Sequence, residues 1–195
     1  MRHEVQQDLS DSAYDFQRSV WPSIQKMLGG GRIEPVEAVV HEGFNKELDT
    51  LAGIDVWHIV DSLGIRGIAS RVQWGNKSWN TFTIRLSRPK GGPTEYEKRL
   101  LAIKNRNRGF LLPEVTVQAY MTNPRRQGYV LNAGVINTID LFTAVQRLYE
   151  ESKPERHCWG MRKTEDGEWL IWVSWSFLSE LGLRVGVLKD DAKAA

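Results

Sequence analysis

Cationic and aromatic side chains alternate along one stretch of the chain, and their types suit the chemistry of nucleic-acid binding. Arginine and lysine pair with phosphate groups and aromatic rings stack on bases, so the two together are typical of a nucleic-acid surface. Tryptophan is also a common strand and core residue, so both interpretations stay open. The residues are Trp74, Lys77, Trp79, Phe82, Arg85 and Arg88, with Lys90 two positions further on.

The charges of the chain are unevenly distributed. The net charge of all 195 residues is +2, but residues 61–130 carry 13 Lys and Arg against 4 Asp and Glu, a net charge of +9. The preceding 60 residues have a net charge of −5, and residues 131–195 one of −2. A basic middle between acidic flanks favours a surface that faces phosphates. The alternative is that these charges are spread over several solvated faces.

Periodicity and turn residues predict the elements that would position these side chains. Apolar residues near a 3.6-residue period predict a helix over 12–28 and a shorter one over 42–51. Thr94, with Glu97 three residues later, has capping-box spacing and predicts a helix to about Lys104. We expect strands over 54–60, 67–74, 81–86, 115–121 and 129–136, a helix over 139–151, hairpin arms over 157–164 and 168–175, a short helix over 177–181, and a charged, frayed end.

These elements predict the α/β fold class, in its α+β form with a mixed sheet. The length corresponds to one domain of about 150 residues, or to one domain with a small appendage. We assign residues 1–151 to the core with its N-terminal helix. Residues 152–195 are then a C-terminal hairpin and tail packed on that core, with the hairpin turn at Glu165-Asp166-Gly167.

From about residue 40 to residue 137, the predicted elements and two short stretches resemble the PD-(D/E)xK nuclease-like superfamily. Its shared core is αβββαβ, and the stretches are ELDTLAGIDVWHIV at 47–60 and IASRVQW at 68–74. The resemblance implies that Asp55, just inside the first core strand after Gly-Ile, is a metal ligand. It also implies an acidic residue, any residue and a lysine on the next strand. The implied activity is hydrolysis of phosphodiester bonds in DNA with Mg²⁺ or Mn²⁺.

The second strand departs from the superfamily pattern at its acidic position. Because side chains two apart on a strand face the same way, Arg71 aligns with the expected acid and Gln73 with the expected lysine. Gln73 can still orient the attacking water, but an arginine repels a divalent cation. A magnesium site therefore needs a second carboxylate, and Glu47 is the best candidate to join Asp55. The alternative is a structural salt bridge between Asp55 and Arg71.

The sequence thus supports two hypotheses about function. In the first, the chain is a metal-dependent endonuclease or exonuclease in which Asp55 and Glu47 hold Mg²⁺ and Gln73 orients water. In the second, it is a catalytically inactive module of the same fold that binds DNA or a protein partner. A homodimer through the hairpin tryptophans is compatible with the sequence. The residues predicted to contact DNA are Arg71, Lys77, Arg85, Arg88 and Lys90.

Composition argues against several other classes. The single cysteine, Cys158, permits no intramolecular disulfide and no cysteine zinc site within one chain, which favours a reducing, cytoplasmic location. No apolar run reaches about 18 residues, so we expect no membrane span, and we see no secretion signal. No P-loop, dinucleotide fingerprint or nucleophile elbow favours a small-molecule enzyme. His41 and His58 have no ligand-spaced partners, whereas Gln118 and Tyr120 share one side of a strand and are weaker candidates for the same pocket.

Overall fold

The computed structural model describes residues 2–36, 52–61, 64–87, 91–123, 125–151 and 153–189. These residues mix helices and strands, which confirms the predicted α+β class. The α-helices are α1 (Arg2–Asp15), α2 (Trp21–Ile24), α3 (Glu95–Lys104), α4 (Thr138–Glu151) and α5 (Trp175–Glu180). The strands are β1 (Arg32–Pro35), β2 (Val56–Val60), β3 (Gly64–Trp74), β4 (Thr81–Arg85), β5 (Val115–Met121), β6 (Val130–Asn137), β7 (Trp159–Lys163), β8 (Trp169–Ser174) and β9 (Gly186–Lys189).

A six-stranded mixed sheet has the strand order β1-β2-β3-β5-β6-β9. Its centre is the parallel pair β3 and β5, in which Arg71 lies opposite Gln118 and Gln73 lies opposite Tyr120. Residues directly opposite each other on paired strands share a face of the sheet. The structure therefore places these four polar side chains on the same face.

A second sheet has three antiparallel strands in the order β4-β8-β7. The sequence predicts β4 as the third strand of a meander, but the structure pairs it with β8, so that Ile84 lies opposite Ile171. Residues on both faces of β4 are buried: Phe82 and Ile84 enter an apolar core, while Thr81 and Thr83 bond to side chains of β5. The strand therefore needs cover on both faces, and the C-terminal hairpin and the main sheet supply it together.

Two apolar cores lie on opposite faces of the main sheet. Burying a large apolar side chain contributes about 1.5–3 kcal/mol, so these cores hold the layers together. The core beneath the N-terminal helices includes Phe16, Val20, Trp21, Ile24, Ile68 and Val117. The core shared by the main sheet, the second sheet and α4 includes Phe82, Tyr120, Phe142, Ile171 and Trp175.

The N-terminal helical segment is longer than the sequence predicts. The predicted helix spans 12–28, whereas the observed segment starts at Arg2 and contains a π-helical turn over Phe16–Val20 and a 3-10 turn over Gln25–Leu28. Residues 2–10 are mostly polar, so apolar periodicity does not reveal them. Gly29, at φ 85°, ends the segment in the left-handed conformation that favours glycine.

The predicted capping box of α3 is confirmed, and α4 also begins with a side-chain cap. In the capping box of α3, the Glu97 amide donates to the Thr94 hydroxyl at 3.2 Å and the Thr94 amide donates to the Glu97 carboxylate at 2.8 Å. At the start of α4, the Asn137 side-chain oxygen accepts from the Ile139 amide at 2.9 Å. These local bonds satisfy backbone donors that a helix leaves unpaired at its first turn.

The C-terminal residues contribute strands to both sheets. The predicted hairpin is confirmed as β7 and β8. The predicted frayed end is wrong for residues 186–189, which form β9 and pair with β6, because Val187 and Leu188 pack against the two cores. The helix predicted over 42–51 lies outside the described residues. In the part of the chain that the structure describes, no helix is long and apolar enough to cross a membrane.

Candidate nucleic-acid interface

An open groove of about 590 Å³ lies where β3 ends and the chain turns toward β4. Three of its wall residues, Trp74, Lys77 and Trp79, belong to the set of cationic and aromatic residues that the sequence singles out, and Gln73 is the residue aligned with the expected lysine. Two amides, two cations and three aromatic rings belong to its lining, and such groups hold phosphates and stack on bases. These seven residues are Gln73, Trp74, Asn76, Lys77, Trp79, Tyr120 and Arg162.

Trp79 is held in place by the residue that follows it. Asn80 has a positive φ of 49°, and its carbonyl accepts from the Trp175 amide at 2.9 Å. The Asn80 side chain also accepts a hydrogen bond from Asn132 on β6. These bonds fix the backbone next to Trp79, while Trp79 itself stays 58% exposed. The exposed ring of Trp79 thus presents a flat apolar face to solvent from a fixed stretch of backbone.

Lys77 and Arg162 give the groove a positive charge. Lys77 lies in the turn after β3, and Arg162 comes from the far strand β7 of the second sheet. Both residues are exposed, and neither makes an ion pair with any residue that the structure describes. Their charges are therefore available to an anionic ligand. Arg162 is not among the residues predicted to contact DNA, because nothing local in the hairpin sequence indicates that β7 approaches the end of β3.

Tyr120 forms a neutral inner wall of the groove. Its hydroxyl donates to the Thr81 carbonyl at 2.9 Å and lies 2.9 Å from the Thr81 hydroxyl, and the residue is only 2% exposed. Burial raises the pKa of Tyr120, and this effect outweighs the Thr81 hydrogen bonds and the Arg162 charge. Tyr120 is thus a fixed uncharged surface. Tyr120 lies opposite Gln73 and lines the groove with it, whereas Gln118, predicted for the same pocket, is outside the groove lining and accepts from the Thr83 hydroxyl.

Trp74 has a structural role that Trp79 lacks. Its indole nitrogen donates to the Asp15 carboxylate at 2.7 Å, which ties β3 to α1. The Arg125 guanidinium lies 4.5 Å from the centre of its ring. Because both the nitrogen and a ring face are occupied, Trp74 is a poor stacking surface for a ligand.

Arg71, predicted to contact DNA, ties three elements of the fold together. Its guanidinium donates to the Thr83 carbonyl at 2.6 Å and to the Thr83 hydroxyl at 3.1 Å. It also forms an ion pair with Glu95 at 2.6 Å. The predicted alternative of a salt bridge between Arg71 and Asp55 is wrong, because β4 and α3 lie over this face of β3 and supply the partners.

The Glu95 carboxylate lies among three positive groups or donors. It accepts from the Arg85 amide at 3.2 Å as well as from Arg71. Burial raises the pKa of Glu95, but the charges of Arg71 and Arg99 and the Arg85 bond outweigh it, and the pKa falls below the usual 4.5. Glu95 is therefore ionised at neutral pH. Its negative charge neutralises Arg71, which stands where the superfamily pattern has a metal-binding acidic residue.

Asp55 supports the edge of the strand pair β2 and β3. Its carboxylate accepts from the Ser70 amide at 2.5 Å and from the Ser70 hydroxyl at 3.2 Å. Its own amide donates to the Ile68 carbonyl at 2.9 Å. Just before β2 begins, the Asp55 carboxylate thus accepts from the Ser70 amide the hydrogen bond that a backbone carbonyl would accept in a regular strand pair.

The described residues do not by themselves fit a magnesium site. Mg²⁺ in proteins takes one or two carboxylates and several waters. One Asp55 oxygen is occupied by Ser70, and Arg71 stands at the position of the expected second acid. Across residues 2–36, 52–61, 64–87, 91–123, 125–151 and 153–189, no cluster of three or more His, Cys, Asp or Glu could hold a metal. Glu47, the predicted second ligand, lies outside them.

The remaining predicted DNA contacts lie away from the groove lining or outside the described residues. Arg85 forms an ion pair with Glu168 of the hairpin at 2.7 Å. Arg88 and Lys90 lie outside the described residues. Of the five predicted contacts, Lys77 is the one that the described structure places in the groove.

His58 is a structural residue, which agrees with its lack of ligand-spaced partners in the sequence. Its Nε2 donates to the Gly30 carbonyl at 2.7 Å, and its Nδ1 accepts from Arg66 at 3.0 Å. Burial lowers the pKa of His58 below 6.5, an effect that the nearby Arg66 charge reinforces. The ring is therefore neutral near pH 7 and links β2 to the end of the N-terminal helices.

No family model, curated protein or solved structure matches this chain. Its class is therefore defined by its own architecture, an α+β protein with a six-stranded mixed sheet and a three-stranded antiparallel sheet.

Proposed function

We propose that the protein binds DNA through the groove at the end of β3 and does not cleave it. The observation that carries the proposal is Trp79, which is 58% exposed in a groove that also holds Lys77 and Arg162. An exposed aromatic ring beside two exposed cations suits a ligand that has both flat apolar groups and negative charges. DNA is such a ligand.

DNA binding without cleavage is favoured over catalysis, because the side chains of Asp55 and Arg71 already have structural partners. The Asp55 carboxylate accepts two bonds from Ser70, and Arg71 is paired with Glu95. Asp55 and Arg71 therefore stabilise the fold. Together they do not supply the two carboxylates that a magnesium-dependent nuclease uses to bind its metal.

Replacing the two groove cations is expected to weaken DNA binding and to reduce its salt dependence. In Lys77→Gln and Arg162→Gln, the slope of log affinity against log salt concentration should fall by about 1 for each cation that contacts a phosphate. Each variant should bind about 10- to 150-fold more weakly at low salt, because a hydrogen bond to a charged group contributes about 1.5–3 kcal/mol. Fluorescence anisotropy of a labelled oligonucleotide over a salt series measures both quantities.

Lys163→Gln is the matched control for the cation variants. Lys163 is an exposed cation that follows Arg162 on β7, and successive side chains on a strand point to opposite faces. It should therefore leave affinity and salt slope unchanged. An equal loss in Lys163→Gln, or no binding of any DNA by the unaltered protein, would refute the groove as the binding site.

The metal-dependent nuclease is tested separately. In that form Asp55 and Glu47 hold Mg²⁺ or Mn²⁺ and Gln73 orients water. We expect the unaltered protein to cut plasmid and single-stranded DNA no faster than Asp55→Asn when either metal is added. Asparagine keeps a side-chain oxygen that can accept from the Ser70 amide, so the variant should fold. Metal-dependent cutting that Asp55→Asn abolishes would establish the catalytic form instead.

Two further features belong to the proposal. The single cysteine, Cys158, fits a reducing, cytoplasmic location.

A homodimer would use the hairpin, where Trp169 and Met161 are 45% and 41% exposed. Analytical ultracentrifugation of the unaltered protein and of Trp169→Ser tests the dimer, which the substitution should dissociate.

A further inference from the structure

We infer that the groove takes an unpaired stretch of single-stranded DNA and discriminates against duplex DNA. This inference rests on the proposed function and adds the class of DNA that the site selects. It follows from what Trp79, the two amides and the two cations can reach on a single strand and on a duplex.

The exposed ring of Trp79 is the first argument. Stacking requires a free base face, and the bases inside a duplex already use both faces on their neighbours. Trp79 stands in the turn between β3 and β4 and is more than half exposed, so an unpaired base can lie against it. A duplex would meet this ring only with its sugar–phosphate backbone or its grooves.

The shape of the groove gives one principal stacking position. Tyr120 is 2% exposed and its hydroxyl is bonded to Thr81, so its ring is a wall and not a platform. The Trp74 ring is covered by Arg125 and bonded to Asp15. A volume of about 590 Å³ falls within the range of about 300–1,000 Å³ typical of sites for small molecules. The groove therefore suits one or two nucleotides.

The amides provide the second argument. Asn76 is exposed and Gln73 is half-buried, and both line the groove with Trp79. Each amide offers both donors and an acceptor, which match the edges that an unpaired base presents. In a duplex those edges are engaged in base pairing.

The positions of the cations provide the third argument. Lys77 reaches the groove from the turn after the main sheet, and Arg162 reaches it from the second sheet. The two charges therefore come from separate elements beside the stacking ring. A flexible single strand can bring a phosphate to each of them while its base lies on Trp79.

The test compares three labelled ligands by anisotropy: a short oligothymidylate, a blunt duplex, and the same duplex with a single-stranded overhang. We expect the oligothymidylate and the overhang to bind at least about tenfold more tightly than the blunt duplex. Stacking of one base contributes about 1–3 kcal/mol, so Trp79→Ala should weaken single-strand binding about 5- to 150-fold and leave duplex binding unchanged. Trp79→Phe should restore most of the affinity.

Phe110→Ala is the matched control, because Phe110 is also an exposed aromatic residue and lies outside the groove lining. It should change neither affinity. If the blunt duplex binds as tightly as the single strand, or Trp79→Ala weakens both alike, the inference fails while DNA binding stands. If none of the three ligands binds, the proposed function fails as well. Circular dichroism of each variant confirms that the fold is retained.

Discussion

Glu95→Ala is expected to lower the free energy of unfolding by about 2–3 kcal/mol. The substitution leaves the Arg71 guanidinium without its carboxylate and the Arg85 amide without its acceptor. Breaking a fully buried ion pair by removing one partner costs about 3–5 kcal/mol, whereas an exposed pair contributes about 0–1 kcal/mol. The side chains of Arg71 and Glu95 are 28% and 25% exposed, so the expected loss lies between these limits. Urea unfolding followed by circular dichroism measures it.

Glu114→Ala is the control for this loss. Glu114 also pairs with an arginine, Arg66, but at 3.4 Å and with a side chain that is 55% exposed. Its removal should lower the free energy of unfolding by less than about 1 kcal/mol. An equal loss of stability in the two alanine variants would contradict this expectation, because the Arg71–Glu95 pair would then contribute no more than an exposed ion pair.

The contribution of Glu95 should also depend on pH. The folded protein holds the pKa of Glu95 below 4.5, so the carboxyl binds its proton more weakly in the folded state than in the unfolded state. Its stabilising effect is therefore present above about pH 4.5 and is lost as the pH falls below that value. The difference in stability between the unaltered protein and Glu95→Gln should shrink accordingly between about pH 6 and pH 3.

Local sequence signals predict the elements well where the residues that fix them are close together. The capping box of Thr94 and Glu97 lies within four residues, and both of its bonds are present. Strand β5 has the predicted bounds, because its β-branched run directly follows Pro113. Period-2 alternation likewise places Arg71 and Gln73 on one face of β3, and the register of β5 adds Gln118 and Tyr120 to that face.

Contacts between distant parts of the chain could not be predicted in the same way. The partner of Arg71 is Glu95, which lies beyond β4 and a loop, so strand alternation carries no information about it. The pairing of β4 with β8 has the same origin, since the two strands are far apart in sequence. Arg162 enters the groove only because that pairing brings β7 nearby. The predicted ion pair of Asp55 with Arg71 therefore failed at a tertiary contact, although the strands themselves were predicted.

Gly134→Ala is expected to destabilise the protein by about 3 kcal/mol, because β6 passes directly over a buried ring. A Cβ at this position would lie 2.6 Å from Nε1 and 2.7 Å from Cζ2 of Trp175. Trp175 cannot move aside easily, since it is 2% exposed and packs against the rings of Phe82 and Tyr120 with centroids 5.9 Å and 6.0 Å away. Overpacking a well-filled core costs about 1–3 kcal/mol or more, and the gain of about 0.4–1 kcal/mol from a stiffer unfolded chain offsets only part of it.

Gly186→Ala on the neighbouring strand β9 separates this steric effect from the general effect of replacing a strand glycine. A Cβ at Gly186 would meet only the flexible end of Met27, at 3.4 Å, and Val135 at 3.7 Å or more. This variant should be neutral or slightly more stable, because alanine restricts the unfolded chain.

Trp175→Phe, which removes the clashing part of the indole, should recover part of the loss when it is combined with Gly134→Ala. The free energies of unfolding of the unaltered protein, Gly134→Ala, Trp175→Phe and the double variant form a double-mutant cycle, which measures the coupling between the two positions. A loss in Gly134→Ala no larger than that in Gly186→Ala, or strictly additive effects in the cycle, would contradict the close contact between β6 and Trp175.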